Sequence, residues 1–446
     1  MEPRSKRHRR TTKRSPLITI SILSVLVVAS FSGLMYWLSH KGDVPQADPP
    51  PATASQTGPS AVKTAEQIAG AGSDSHANPV TNTGDNGANA AAKPPEPVKQ
   101  GDPPQAQGGT NGSVNAEPVS QAKPPEDGVV KLAFTGDVMW ASKVEDLLKQ
   151  NGYDYPYQEV KSYLESPDVT VANLETPVTT RGKAQTKDYI YRSSPQAMPA
   201  FAEAGFDVVN LANNHILDYG KDGLLDTIDQ LKAANIQYVG AGKDIKEAYR
   251  PVIMEKNGLK IAFLGFSRVA EDKSWYATNT TPGVAQTYTT DLALEAIRNA
   301  KETADLVIVL AHWGVERQDK PAKEQTNLAH LYIDNGADLV VASHPHVLQS
   351  FEQYNGKWIA YSLGNFIFTT NNTSSTWETV IMNATCNKTK SCGIQLIPIF
   401  SKWAQPVKMT EEDGAKLFNR LSGISINAKI DTEGKLIPVE KQNQPR

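Results

Sequence analysis

Cysteine is almost missing from this chain: Cys386 and Cys392 are the only two in 446 residues. A thiolate-rich metal cluster is therefore excluded, and a single short loop, CNKTKSC, is left to be closed. No cysteine follows the apolar run near the N-terminus, so a lipid has no thiol to attach to. Motifs for nucleotides and for nucleophilic hydrolysis are lacking too. YVGAGKD offers Gly240, Gly242 and Lys243 without the glycine spacing or the Ser/Thr of a phosphate loop. There is no GxSxG elbow, and Ser343 beside His344 is adjacency rather than a triad.

Charge is absent from Pro16 to Leu38, PLITISILSVLVVASFSGLMYWL. As a helix this run reaches about 34 Å, enough for a hydrocarbon core of about 30 Å. Before it, MEPRSKRHRRTTKR carries seven Lys or Arg and one acid, which places residues 1–15 in the cytoplasm and everything after Leu38 outside. The run exceeds the about 7 to 15 apolar residues of a cleaved signal peptide and ends on Tyr36 and Trp37, so residues 16–38 read as a retained signal anchor, single-pass, in the cell membrane. Orientation beside a spanning helix accounts for the basic residues, and no nucleic-acid partner is expected. From 39 to 127 the chain is rich in Pro, Ala, Gly and Asn, too poor in apolar residues to offset ordering entropy, and reads as a disordered linker that lets a folded domain work away from the membrane. Outside the cytoplasm, Cys386 and Cys392 are expected to form a disulfide.

Beyond the linker, aliphatic strands alternate with helical repeats. VKLAFTG, DVTVANLE, DVVNLANNH, KIAFLGF, DLVIVLAHWG, DLVVASHPH and KWIAYSLGNF have strand length; AMPAFAEAG, GLLDTIDQLKAAN, LALEAIRNAKETA and KEQTNLAHLYIDNG repeat as helices. Two of these helices are predicted to stop at Gly205 and Gly336. Such continuous aliphatic strands imply an α/β domain whose central strands are buried on both faces. PVIMEKNGLKIAFLG and SFEQYNGKWIAYSLG read instead as hairpins turning at NG, so the sheet is mixed or doubled.

The polar residues fall where these strands end: Asp137 after KLAFTG, Asn173 and Glu175 after TVA, Asn213, Asn214 and His215 after VVNLA, His312 after VIVLA, His344 and His346 after LVVAS, and Asn365 after YSLG. That edge of an open α/β sheet is where ligands bind. Of the five histidines beyond the linker, only His330 lies elsewhere. In an extended backbone His344 and His346 would project to one side and converge. One Asp, one Glu, an amide and several imidazoles without thiolate suit one or two divalent ions such as Mn, Zn or Fe. RGKAQTKDYIYRSSP reads first as a solvated loop; its cations Arg181, Lys183, Lys187 and Arg192 could alternatively hold a polyanion near the site, and Arg192, which closes the segment before the next helix, is the best candidate.

TGDVM, ANLETPVT, NLANNHILDYG, AHWGVE, SHPHVLQ and YSLGNF, in that order, resemble the capsule synthesis protein family that includes the membrane-anchored CapA/PgsA subunit of poly-γ-glutamate synthesis. The resemblance implies a four-layer α/β/β/α fold like that of calcineurin-type metallophosphoesterases over residues 128–370, with 371–446 as a C-terminal extension packed on it. It also implies Asp137 as a first-metal ligand, Glu175 as bridging carboxylate, Asn214, His312 and His344 on the second metal, His346 on the first, and His215 as the catalytic acid. Asn173 and Asn365 join Arg192 as candidate substrate contacts. The chain departs from the phosphoesterase Asp-x-His pattern at Met139. The expected role is in capsule or poly-γ-glutamate biosynthesis at the cell surface, acting on or guiding the polymer through a divalent-metal site; whether as a metal-dependent hydrolase or transferase is left open by the sequence. The alternatives are a phosphoesterase-like hydrolase of another envelope substrate and a non-catalytic assembly factor. Expected partners are the membrane, an anionic polymer and membrane synthase subunits; lacking an ATP motif, the chain takes its polymerisation energy from another protein.

Overall fold

The computed structural model describes residues 128–369 and 372–439. The basic tail, the apolar run 16–38 and the linker to residue 127 lie outside the described residues; among the described ones no helix is long and apolar enough to cross a membrane.

Two mixed sheets carry the domain. The first runs Gln405–Lys408, Cys392–Lys402, Glu378–Asn387, Val129–Val138, Val169–Leu174, Val208–Asn210, Gln237–Val239, with Asn365–Ile367 also pairing onto Val129–Val138. The second runs Phe351–Tyr354, Lys357–Ala360, Leu339–Ser343, Leu306–His312, Leu259–Ser267, Val252–Lys256. Neighbours in the middle of each are parallel: Val129–Val138 with Val169–Leu174, and Leu306–His312 with Leu339–Ser343. Every residue of Val169–Leu174, Leu306–His312 and Leu339–Ser343 is buried, which is why these strands read as aliphatic runs rather than alternations. Both NG hairpins are present, with Asn257 and Gly258 at φ 49° and 72° and Asn355 and Gly356 at φ 48° and 74°, the left-handed pair that a two-residue turn needs.

Side-chain alternation divides the interior. Phe134, Val171 and Val208 of the first sheet meet Phe263, Leu310 and Val341 of the second in a core between the sheets. Their neighbours Ala133, Ala172 and Val209 face outward onto Leu148, Phe201 and Leu224 of the helices Lys143–Asn151, Met198–Glu203 and Gly220–Ala233. Ala262, Val307 and Val340 face the other way, onto Ala293, Ile297, Ala329 and Tyr332 of Asp291–Thr303 and Lys323–Asp334. Gly205 and Gly336 follow their helices at φ 96° and 119°, each donating its N–H back to the last turn, at Ala202 and Ile333.

The residues after 370 are not an appendage. Glu378–Asn387 pairs antiparallel with Val129–Val138, from Val129 opposite Asn387 to Phe134 opposite Met382, so the extension supplies the interior of the first sheet. Leu417, Phe418 and Leu421 of the helix Glu411–Ile424 then pack into the core between the sheets. Cys386 and Cys392 face each other across the hairpin and are joined as a disulfide, at the end of Val129–Val138 remote from Asp137. We expect a chain ending at Trp377 to lose the cooperative thermal transition of the full domain, because the central strand then loses its partner from Val129 to Phe134. An intact transition in that truncation, followed by circular dichroism, would return residues 378–439 to the status of an extension.

Candidate metal centre

The parallel strands of both sheets end at one edge, and the polar residues gather there. Asp137 lies opposite Asn173 on one side and Asn365 on the other. Its N–H donates to the Gly364 carbonyl at 2.9 Å, an approach only glycine at 136 permits: a Cβ there would sit 1.8 Å from that oxygen. Asn213 shapes the following turn, its Oδ1 accepting from the N–H groups of His215 and Ile216 while its Nδ2 donates to the Leu174 carbonyl. In the second sheet His312 pairs in register with Ser343, the last strand residue before SHPH.

The HxH segment is not extended. The strand stops at Ser343, and His344 and His346 hold left-handed φ values of 97° and 57° around Pro345, whose carbonyl accepts from the Arg317 N–H. The rings come together all the same, 5.9 Å apart, with His344 4.8 Å from His312. Non-glycine residues rarely adopt these values, and such strain is found at ligand clamps. Asn365 likewise differs from expectation: it opens the strand Asn365–Ile367 instead of closing the one before.

Asp137 and Glu175 are both fully buried, and one amide arranges them. Asn173 Nδ2 donates to Asp137 Oδ1 at 2.8 Å and to Glu175 Oε2 at 3.3 Å, while its Oδ1 accepts from Asn210. The other two oxygens, Asp137 Oδ2 and Glu175 Oε1, make no well-formed hydrogen bond, Oδ2 having the His346 Nδ1 at 3.3 Å beside it, and His344 Nδ1 has none either. Around them form two groups whose donor atoms all lie within 4.8 Å of one another: Glu175, His312 and His344, and Asp137, Glu175 and His346. Glu175 belongs to both. His312 Nε2 lies 2.8 Å from Asn214 Oδ1 and 3.5 Å from Glu175 Oε1, while its Nδ1 lies 3.1 Å from the Ser343 hydroxyl.

Without an ion this arrangement is electrostatically costly. Burial, and then the Asp137 charge, push the Glu175 carboxyl well above its ordinary range. Burial, and then neighbouring imidazoles, hold His312 and His344 well below theirs. Burial opposes protonation of His346 too, but its contacts with Asp137 and Asn365 outweigh it and the pKa is raised. Buried groups that lack a partner and repel one another call for a cation. Two carboxylates, three imidazoles and an amide, with orphaned lone pairs turned inward, fit one or two divalent ions.

Beside this set, Asp218 Oδ2 lies 2.8 Å from His215 Nδ1 and also accepts from the Tyr191 N–H. Burial lowers the His215 pKa in spite of Asp218. Lys187, with its side chain only 8% exposed, donates to the Asn214 carbonyl at 2.7 Å and pairs with Asp218 and Glu271 at 3.0 Å each. Among the cations of RGKAQTKDYIYRSSP it is Lys187, rather than Arg192, that reaches this set; Asp218, absent from the sequence reading, is marked only by the DYG that follows NNHIL, three residues past His215. Arg192 is exposed and stacks on Tyr219, with its guanidinium 4.4 Å from the ring centre. Asn173 is turned to the carboxylates and Asn365 to His346, at 2.9 Å.

With this geometry in place, the comparisons with known proteins are specific. Residues 131–370 match the model of the bacterial capsule synthesis protein family PGA_cap, and the chain belongs to that family. It is 39% identical over 260 residues to the capsule biosynthesis protein CapA of Bacillus anthracis, covering 56% of this chain and 63% of that one. It is 37% identical over 251 residues to the PGA biosynthesis protein CapA of Bacillus subtilis (strain 168), covering 56% and 66%. The chain thus spans less than two thirds of these relatives' length. Among solved structures it overlaps the sulfate thiohydrolase SoxB of Thermus thermophilus at 12% identity and a TM-score of 0.35, covering 65% of this chain and 58% of that one, a likeness that says nothing of activity.

The raised pKa of Glu175 carries a test. Folded protein free of metal holds that proton more tightly than the unfolded chain does. The stability this gives is complete below the ordinary carboxyl value of 4.5 and is lost as pH rises through the raised value. The depressed His312 and His344 act in the opposite sense, losing stability as pH falls, and are common to wild type and variant. Metal-free Glu175→Gln should therefore match wild type near pH ~4 and melt above it by pH ~8, the gap widening with pH, while divalent-ion binding is lost. A melting difference independent of pH would contradict this assignment.

Proposed function

We propose that this chain is a membrane-anchored, extracytoplasmic protein of capsule or poly-γ-glutamate biosynthesis, acting on the polymer at the cell surface through a divalent-metal site in a four-layer, metallophosphoesterase-like domain. One observation carries the reading: Asn173 holds the outer oxygens of Asp137 and Glu175, so that Oδ2 and Oε1 turn, without well-formed hydrogen bonds of their own, toward three histidines in a family of capsule synthesis proteins. Glu175, His312, His344 and Asn214 would hold one ion, and Asp137, Glu175 and His346 a second. Ions there supply Lewis-acid charge compensation and water that is nucleophilic near neutral pH.

The rest belongs to the chain's own side chains. Asp218 fixes the His215 ring through Nδ1, which leaves Nε2 as the nitrogen that exchanges a proton with a leaving group. Lys187 ties the Asn214 backbone to Asp218, so the amide ligand and the proton-transfer pair keep one relative position. Asn173 and Asn210 hold the carboxylates against rotation.

His215→Ala should leave bound metal unchanged and slow cleavage or transfer of purified poly-γ-glutamate by roughly 10²- to 10⁴-fold, read as polymer length against time. His344→Ala with His346→Ala should remove the metal while the fold persists. Polymer of normal length and amount from a strain whose only copy carries His215→Ala would favour the non-catalytic assembly role. Normal capsule from a copy lacking Asp137, His215 and His344 would defeat the metal-dependent reading altogether.

A further inference from the structure

The hairpin that joins Cys392–Lys402 to Gln405–Lys408 turns on Trp403 and Ala404, both at φ 57°. The two other hairpin turns described above meet the same demand with Asn-Gly, whereas a bulky indole at such a φ is strained. Ala404 is fully buried in the cluster that holds Trp140, Phe366 and Ile399, while Trp403 is 52% exposed. The strain is thus borne to hold an indole at the surface, as strain is at ligand clamps. Cys392–Lys402 runs antiparallel to Glu378–Asn387, itself antiparallel to Val129–Val138, so the turn lies at the edge that carries Asp137. Trp377 stands at that edge too. The carbonyl of Thr376 before it accepts from Asn365 Nδ2 at 3.2 Å, and Asn365 Oδ1 faces His346 Nδ1 at 2.9 Å. Lys402 reaches both indoles, its Nζ 4.7 Å from the Trp377 ring centre and 5.8 Å from that of Trp403. Among the described residues no carboxylate pairs with Lys402, whereas Lys187 is neutralised by Asp218 and Glu271. Trp377 Nε1, in turn, is buried without an acceptor.

We propose that Trp377, Lys402 and Trp403 form a binding station for an anionic polyamide chain beside the metal centre. The α-carboxylate of a γ-linked glutamyl unit meets Lys402, and the methylenes and amide planes of the chain lie on the indoles. Aromatic faces hold an ammonium in place without neutralising it, so its charge is kept for the ligand. A repeat that carries one carboxylate and a short apolar stretch satisfies both chemistries at once. A neutral glycan would cover the indoles and leave the ammonium unmet; an inorganic polyphosphate would do the reverse. The station sets which polymer is held and where it lies, and takes no part in holding ions or moving protons. This proposal rests on the polymer reading above and adds to it a cation that the carboxylate-lined crevice does not supply.

The test is binding of fluorescently labelled poly-γ-glutamate to the full-length chain in detergent, on a His215→Ala background so that polymer is not consumed. This parent should bind, with affinity falling as salt rises. Lys402→Gln should weaken binding by roughly 10-fold and flatten its dependence on salt. Trp403→Asn supplies a residue that the turn favours, so it should melt no lower than the parent and still weaken binding by roughly 3- to 10-fold. Bound metal, read by elemental analysis, should equal the parent's in both variants. Unweakened binding in both, or weakening confined to a Trp403→Asn protein that also melts lower, would overturn the station. Binding of polyphosphate or of a neutral glucan as tight as that of poly-γ-glutamate would overturn its assigned occupant. Absence of any poly-γ-glutamate binding by the parent would instead remove the polymer reading itself, and the station with it.

Discussion

Two carboxylates, Asp137 and Glu175, are buried against each other with only the His346 ring reaching both, 3.3 Å from Asp137 and 3.9 Å from Glu175, and the rest of the site is arranged around that cost. Asn173 meets half of it, giving each carboxylate one hydrogen bond from the same amide nitrogen. Asn210 fixes Asn173 in turn. What is left is a pair of lone-pair-bearing oxygens and an imidazole nitrogen without well-formed hydrogen bonds, all in one place. A protein that merely needed stability would have no reason to keep them. Apolar residues of similar volume would pack as well without the desolvation penalty.

Neither sheet builds this site alone. The first contributes the carboxylates and amides, and the second contributes His312, His344 and His346. The contact of His312 with Asn214 and Glu175 crosses between them. Its geometry is thus set by how closely the sheets approach, which in turn is set by Phe134, Val171, Leu310 and Val341 in the shared core. Enlarging that core moves one set of ligands away from the other, so packing some residues distant from the ions bears directly on their spacing.

Much of the arrangement could be read from the chain because strand burial and ligand type leave separate marks. Two-sided burial makes a strand uniformly aliphatic, and the first polar residue after it then stands out, as His312 does after VIVLA. Asn-Gly betrays a hairpin because both residues tolerate positive φ. Other features left no local mark. Glu378–Asn387 pairs with a strand some 250 residues earlier, and nothing in its own composition says which neighbour it takes. Lys187 looks like any loop cation, and its burial follows from Asp218, Glu271 and the Asn214 carbonyl meeting it in space. In SHPH the ligand types are legible, but the extended strand that the sequence suggests stops at Ser343. Left-handed φ values at His344 and His346 bring the rings together instead.

The charge balance of the crevice bears on what it can receive. Asp137, Glu175 and Asp218 are fully buried carboxylates, Glu271 lies at the same place, and Lys187 is the buried cation set among them. A polyanion approaching such a site meets repulsion, since one ammonium shared by Asp218 and Glu271 has little charge left to offer. Loading divalent ions reverses that sign where the donors converge. On the proposed reading the ions therefore have two duties that cannot be separated by ligand mutation: they make the crevice able to accept an anionic chain, and they supply the chemistry once it is there. His215 and Asp218 stand outside the ion-holding groups, so changes at those positions are the ones that distinguish recognition from reaction.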